Sequence, residues 1–289
     1  MKKLLLLTLA IATLTSLVYS QNSPTKKNGW ETDNLKGKVK SYTQSKYGAE
    51  DRFGEIQKKA LDSFKTFEYT VKGSRIKSTH YDANGRIEGA WIYKYDAKGN
   101  LIEWATYNAD GSLSSRQTFK YNVNSDLTEH NLYKKNIDYP DGSFYKEGIS
   151  QYDNNGNKIK YTHYDVDGSI LETWAYIYDA KGNLIEEHEY DSHFDTMMYG
   201  LGPPYTLYKY NDNGNLTERE HHSGIWTDKQ ILVYDDSGNL IEEKNQTSIG
   251  QMDTYYEYEF DEKGNWIKRI TFKNQIPESI EERKYEYYE

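Results

Sequence analysis

The segment His188-Glu189-Tyr190-Asp191-Ser192-His193 sets two imidazoles five residues apart with two carboxylates between them. A zinc-protease motif needs its histidines four apart on one helical face with a Glu between them. Here they sit at the end of a strand-like run, where alternation sends them to opposite faces. His221 and His222 are adjacent and diverge for the same reason, while His80 and His163 hold equivalent places in a repeat and read as cross-strand neighbours. Asp165-Val166-Asp167-Gly168 opens like a calcium loop, but calcium takes about six to eight oxygens. Related turns carry Lys98, Lys181 and Lys263 at the corresponding place, so turn chemistry explains the carboxylates better.

Nucleophilic and cofactor chemistry find no motif either. There is no Cys and no Gly-x-Ser-x-Gly elbow, and Gly200-Leu201-Gly202 lacks the third glycine and the strand–helix setting of a dinucleotide loop. The expectation is a non-enzymatic protein with no metal and no cofactor.

Aromatic side chains carry more promise. Trp91, Tyr93 and Tyr95 form a ladder that Trp174, Tyr176 and Tyr178 repeat. An exposed ring can stack on a sugar while neighbouring Asp, Glu and Asn bond its hydroxyls; a buried ring merely packs. One insertion, Ser192–Tyr205, breaks the rhythm with Met197, Met198, Tyr199 and a Gly/Pro-shaped end, and shaped loops on repeat scaffolds often bind. Trp91, Tyr93, Trp174, Tyr176, Met197, Met198, Tyr199 and Tyr205 are therefore the expected binding residues.

The elements that must position them come from the repeat. Tyr-Asp-x-x-Gly-Asn-Leu-Ile-Glu stands in near-perfect form at Tyr95–Glu103, Tyr178–Glu186 and Tyr234–Glu242, with looser copies at Tyr81, Tyr107, Tyr121, Tyr152, Tyr164, Tyr210 and Phe260. Successive turn positions, Gly85 through Gly182 with Ser125 in one slot, imply two strands in about 26 residues. Each Asp-x-x-Gly reads as a type I turn closed by a left-handed Gly. That register sets Tyr95 against Leu101, Tyr93 against Glu103 and Trp91 against Ala105, and puts an aromatic opposite Ile, Leu or Trp at the other turns; Tyr152 with Lys158 is the exception. His80–Glu103 and His163–Glu186 agree at 16 of 24 positions, which points to a duplicated block of hairpins. The fold class is all-β, a long antiparallel meander of hairpin repeats expected to curl on itself or spiral. Leu35 to Tyr47 reads as a first strand, and Glu55–Leu61 as a short helix or loop.

Lys2, Lys3, the apolar Leu4–Val18 and the small-x-small site Val18-Tyr19-Ser20 read as a secretory signal peptide over residues 1–20, cut after Ser20. Residues 21–34 read as a flexible linker and 35–289 as one repeat domain. The expected location is secreted or periplasmic, with no membrane span. Losing the two signal lysines takes the net charge from -9 to -11, which argues against nucleic acid as a partner. Without Cys, stability must come from pairing and packing. With 29 Tyr, 8 Phe and 6 Trp the chain has the rings for that.

Over about residues 75–272 the chain resembles the Rhs/YD-repeat family, whose unit carries Tyr-Asp-x-x-Gly-Asn/Arg-Leu/Ile. The resemblance implies an all-β sheet able to spiral into a shell, and an exported protein engaged in surface interaction, carbohydrate binding or toxin carriage. The chain is short and its end, Lys284–Glu289, reads as one more strand, so no toxin domain is expected. A weaker likeness is to MORN-type repeats of antitoxin-like proteins. The expected function is a binding module whose partner is a glycan or an envelope or secreted protein, the alternative being an immunity-like scaffold for a protein partner.

Overall fold

The computed structural model describes residues 28–135, 143–191 and 202–289. The signal peptide expected at 1–20 and the binding residues Met197, Met198 and Tyr199 lie outside them. A one-turn helix, α1 (Gly29–Thr32), leads into β1 (Val39–Arg52), β2 (Glu55–Tyr69), β3 (Arg75–Asp82), β4 (Ile87–Tyr95), β5 (Leu101–Asn108) and β6 (Leu113–Tyr121). The series continues with β7 (Leu127–Lys135), β8 (Phe144–Tyr152), β9 (Lys158–Tyr164), β10 (Ile170–Tyr178), β11 (Leu184–Asp191) and β12 (Tyr205–Tyr210). It ends with β13 (Leu216–Ser223), β14 (Trp226–Tyr234), β15 (Leu240–Thr247), β16 (Gly250–Phe260), β17 (Trp266–Lys273) and β18 (Ile276–Tyr287).

Every strand runs antiparallel to its neighbours in the chain. β1 also pairs with β18, Tyr42 opposite Tyr285 and Lys46 opposite Glu281. The meander therefore closes into one 18-stranded barrel. Strands about 4.8 Å apart and tilted by about 40° would give a circular barrel about 35 Å across. Side chains cannot meet over that width. Burial agrees: the hydrophobic core is a local cluster of Leu35, Val39, Tyr42 and Tyr69, with Trp30, Phe67, Tyr285 and Tyr287 packed against it.

The turns have the chemistry their residues dictate. Asp96 N bonds Asn100 O at 2.9 Å and Gly99 N bonds Asp96 O at 3.0 Å, while Asp96 Oδ1 accepts from the amides of Lys98 and Asn100. Gly99 sits at φ +87°, where a side chain is strained, and Ser125 takes the same slot at φ 68°. The Asp165-Val166-Asp167-Gly168 carboxylates likewise accept from the amides of Val166 and Ser169.

Tyr95 pairs with Leu101 and Tyr152 with Lys158, as the repeat requires. Beyond the turn the register departs from expectation. Lys94 meets Glu103 and Tyr93 meets Trp104, because a bulge at Leu101–Ile102 inserts one residue into the strand. The stretch Glu55–Leu61 is strand, held by Glu50 opposite Gln57 and Asp51 opposite Ile56. The segment read as linker is folded from Asn28 onward. Asn28 caps α1 through a capping box, and Trp30 donates its amide to Gly73 O at 3.1 Å and its indole to Val39 O at 2.7 Å. Asp33 ties down this end through Arg75 and the Tyr69 hydroxyl.

The two faces differ. One carries Lys–Glu rungs, Lys94–Glu103 and Lys209–Glu218 at 2.7 and 2.6 Å, whose lysines are about 60–66% exposed. The other carries the aromatic ladders with single charges between them. On that face burial dominates the pKa shifts, as at Tyr176, Tyr208 and His130, whereas Lys94 is shifted first by its Glu partner. Concave walls crowd side chains and convex ones splay them, so the aromatic face is the inner wall. Among the described residues no helix is long and apolar enough to cross a membrane. The barrel wall itself is charged outside and in, and a lysine facing lipid costs about 2–4 kcal/mol near the bilayer midplane.

Candidate functional site: an aromatic and charged sector of the inner wall

A mixture of rings and unlike charges lies on β8 to β13. Registers bring Ser150, Tyr161 and Trp174 into one row, and Tyr176, Glu187, Thr206 and His221 into another nearer the turns. Tyr161 lies 5.3 Å from Trp174, centroid to centroid, and Trp174 lies 6.5 Å from His163. Gly148 makes room: a Cβ there would fall 2.6 Å from the Tyr161 ring carbons. His163 Nδ1 reaches Glu172 Oε2 at 3.3 Å.

Lys158 occupies the slot that Leu fills in the sibling hairpins. Its Nζ sits 4.3 Å from the centre of the Tyr176 ring and 4.9 Å from that of Tyr161. Burial lowers this ammonium to about 8, partly opposed by Glu187. The Tyr161 phenol is pushed up to about 12 by burial and then by Glu147 and Glu172. Burial, then Glu187, raises Tyr208, whose hydroxyl is hydrogen-bonded with both Arg219 and Glu187. Tyr178 donates to Lys158 O at 2.8 Å, tying adjacent hairpins at the rim.

The expected binding residues do not all converge. Trp174 and Tyr176 belong to this sector. Trp91 and Tyr93 occupy the equivalent place on β4, six strands away, where Trp91 packs on His80 at 4.2 Å and Tyr93 on Trp104 at 5.7 Å. Tyr205 faces the other way. On the outer wall it stacks on His222 at 4.5 Å and lies 6.0 Å from His188, which is 6.2 Å from Tyr190. Glu186 pairs with His188 at 2.7 Å and Glu220 with His222 at 2.9 Å. His221, pointing inward, meets Thr206 Oγ1 at 3.1 Å.

Reading the sequence missed Tyr161, Glu187, Tyr208 and Arg219 as partners, since only cross-strand register brings them together. Lys158 did leave a signal, as one of two polar residues, with Arg75, in a slot otherwise held by Leu, Ile or Trp.

No protein-family model matches this chain, and no curated protein matches it. Among solved structures it is similar to a porin-like protein from Bacteroides uniformis, at 10% identity and a TM-score of 0.41, over 86% of this chain and 98% of that one. It is also similar to TcdB2-TccC3 without its hypervariable C-terminal region, at 14% identity and a TM-score of 0.35, over 77% of this chain and 14% of that one. A third is the Photorhabdus luminescens Tc holotoxin pore, at 13% identity and a TM-score of 0.29, over 74% of this chain and 14% of that one. Similarity at this level assigns neither a family nor a function to the chain.

Proposed function

We propose that this protein is a non-enzymatic, exported binding module that holds a glycan against the inner wall of its barrel, on β8 to β13. The carrying observation is the set of Tyr and Trp planes interleaved with Lys158, Glu187 and Arg219 on the inner wall. Rings supply flat apolar surface for the C–H faces of a sugar, and the charges between them bond its hydroxyls. The apolar leader Leu4–Val18 with its small-x-small end supports export, to the periplasm or beyond.

The test is a glycan array probed with residues 21–289 and with Trp174→Ala and Tyr176→Ala, each variant checked for an intact melting transition. Saturable binding to one glycan class, lost in folded variants, supports the reading; silence of the wild type across the array refutes it. A protein partner is the second reading. It draws on the outer stack Tyr190–His188–Tyr205–His222, which a partner reaches without entering the barrel. A stoichiometric complex broken by Tyr205→Ala and indifferent to Tyr176→Ala would favour it.

A further inference from the structure

Lys158 is unusual in having no structural reason to be a lysine. The same slot holds Leu101, Leu127, Leu184, Leu216 and Leu240 in sibling hairpins, so the turn and bulge form perfectly well around an aliphatic chain. Most other described lysines with a shifted pKa owe the shift first to a named carboxylate, as Lys94 does to Glu103 and Lys120 to Glu129. For Lys158 no described carboxylate lies within ion-pair distance, and its near neighbours are the Tyr176 and Tyr161 rings. The groups facing it are His130 from β7, Ser150 and Tyr152 from β8, Tyr161 on its own strand, Tyr176 and Tyr178 from β10, and Glu187 from β11. His130 is held neutral there, its pKa lowered by burial and then by Lys158 itself to about 4. Glu187 is shared with Tyr208, which Arg219 also bonds, so two cations flank a single carboxylate.

Resting on the glycan reading above, we infer that Lys158 is the group that recognises an anionic substituent of the ligand, so that the bound glycan is acidic: a ring stacks on Tyr176 or Tyr161 while its carboxylate or sulfate meets the ammonium. A half-buried cation among rings, with no carboxylate in contact, is a site whose last partner comes from outside. Anion and aromatic plane lie within one sugar's width of each other, because Nζ stands 4.3 Å from a ring centre.

The geometry sets a pH signature. The free lysine begins to lose its proton near pH 8. Binding an anion must restore that proton, so affinity should be flat below about pH 7.5 and fall about tenfold per pH unit above 8. Arginine in its place stays charged and should give a flat profile.

Isothermal titration of residues 21–289 with a galacturonic acid oligomer, its fully methyl-esterified form and a sulfated oligosaccharide tests this. The esterified oligomer keeps the rings and caps the charge. Wild type should bind the acid or the sulfate at least tenfold tighter than the ester. Lys158→Leu, which restores the sibling residue and so keeps the fold, should erase that preference, and Lys158→Arg should keep it without the pH slope. Acid and sulfate arms separate the two sources of anion. Array binding to neutral glycans with acid and ester equal, or a preference that survives Lys158→Leu, overturns this inference alone. No binding to any glycan overturns it together with the reading on which it rests.

Discussion

Replacing Lys158 by Leu should stabilise the empty protein, an uncommon direction for a substitution at a binding residue. Burial moves the ammonium from 10.5 to about 8. At about 1.4 kcal/mol per pKa unit, keeping it protonated in the fold costs about 3 kcal/mol at neutral pH. The side chain is only partly buried, which makes that a ceiling. Contacts of Nζ with Tyr176 and Tyr161 return about 0.5–1 kcal/mol each. The net expected gain for Lys158→Leu at pH 7 is therefore about 1–2 kcal/mol. Its pH dependence follows from linkage. The folded pKa lies below the unfolded one, so the penalty is fully present below about pH 8 and vanishes as pH rises towards 10.5. Urea melts of wild type and variant at pH 7, 8, 9 and 10 read the difference directly, and tyrosine ionisation cancels between them. A variant less stable than wild type at pH 7, or a gain that stays constant to pH 10, would show that Lys158 is neither desolvated nor expendable, and the anion-site reasoning would go with it.

Four further outcomes are expected. Asp33→Ala leaves Arg75 and Tyr69 without their shared carboxylate in a largely buried clasp and should cost about 3–5 kcal/mol in chemical denaturation. Ser125→Gly relieves a left-handed φ of 68° worth about 1 kcal/mol and forfeits a long 3.3 Å bond from Asn100, so melting should rise slightly. His80 and His130 are held neutral in the fold by burial, both lowered to about 4, so their contribution to stability should be constant above pH 6.5 and be lost as pH drops towards 4; His130→Gln should flatten part of that slope. Gly148→Ala drives a Cβ to 2.6 Å from the Tyr161 ring and should weaken glycan binding while the far-ultraviolet circular dichroism stays unchanged.

The strands and turns were legible because the repeat carries its own geometry. Asp at the first turn position and Gly at the fourth fix where each hairpin reverses, and the pairs Tyr95–Leu101 through Phe260–Trp266 follow. The bulge at Leu101–Ile102 was not, because it depends on how the turn hands its twist to the strand. It moved Trp104 rather than Glu103 against Tyr93. Closure was out of reach as well, since β1 to β18 is a pairing between ends of the chain that share no copy of the motif. The site was half legible. Trp174 and Tyr176 stand out as a ladder, but Glu187 and Arg219 look like any other charges until neighbouring strands set them beside Tyr208. Alternation also places Tyr205 on the opposite face from Trp174 and Tyr176.

The placement of the sector follows from what closing such a barrel costs. Joining β1 to β18 closes a loop of over two hundred residues, about 5 kcal/mol of chain entropy before any contact forms. The seam is built to offset that. β1, β2 and β18 have 14, 15 and 12 residues, against 6 to 9 for β9 through β13. Arg283 donates to Gln44 at 2.8 Å, Gln44 donates to Glu281 at 2.8 Å, and Tyr288 donates to Tyr69 O at 2.6 Å. Asn265 grips Lys36 through both its amide and its carbonyl, and the Asp33 clasp locks α1 over the join. The aromatic and charged sector lies half a turn of the ring away from all this, centred on β9 to β12. There the strands are short, and among the described residues three residue pairs join β11 to β12.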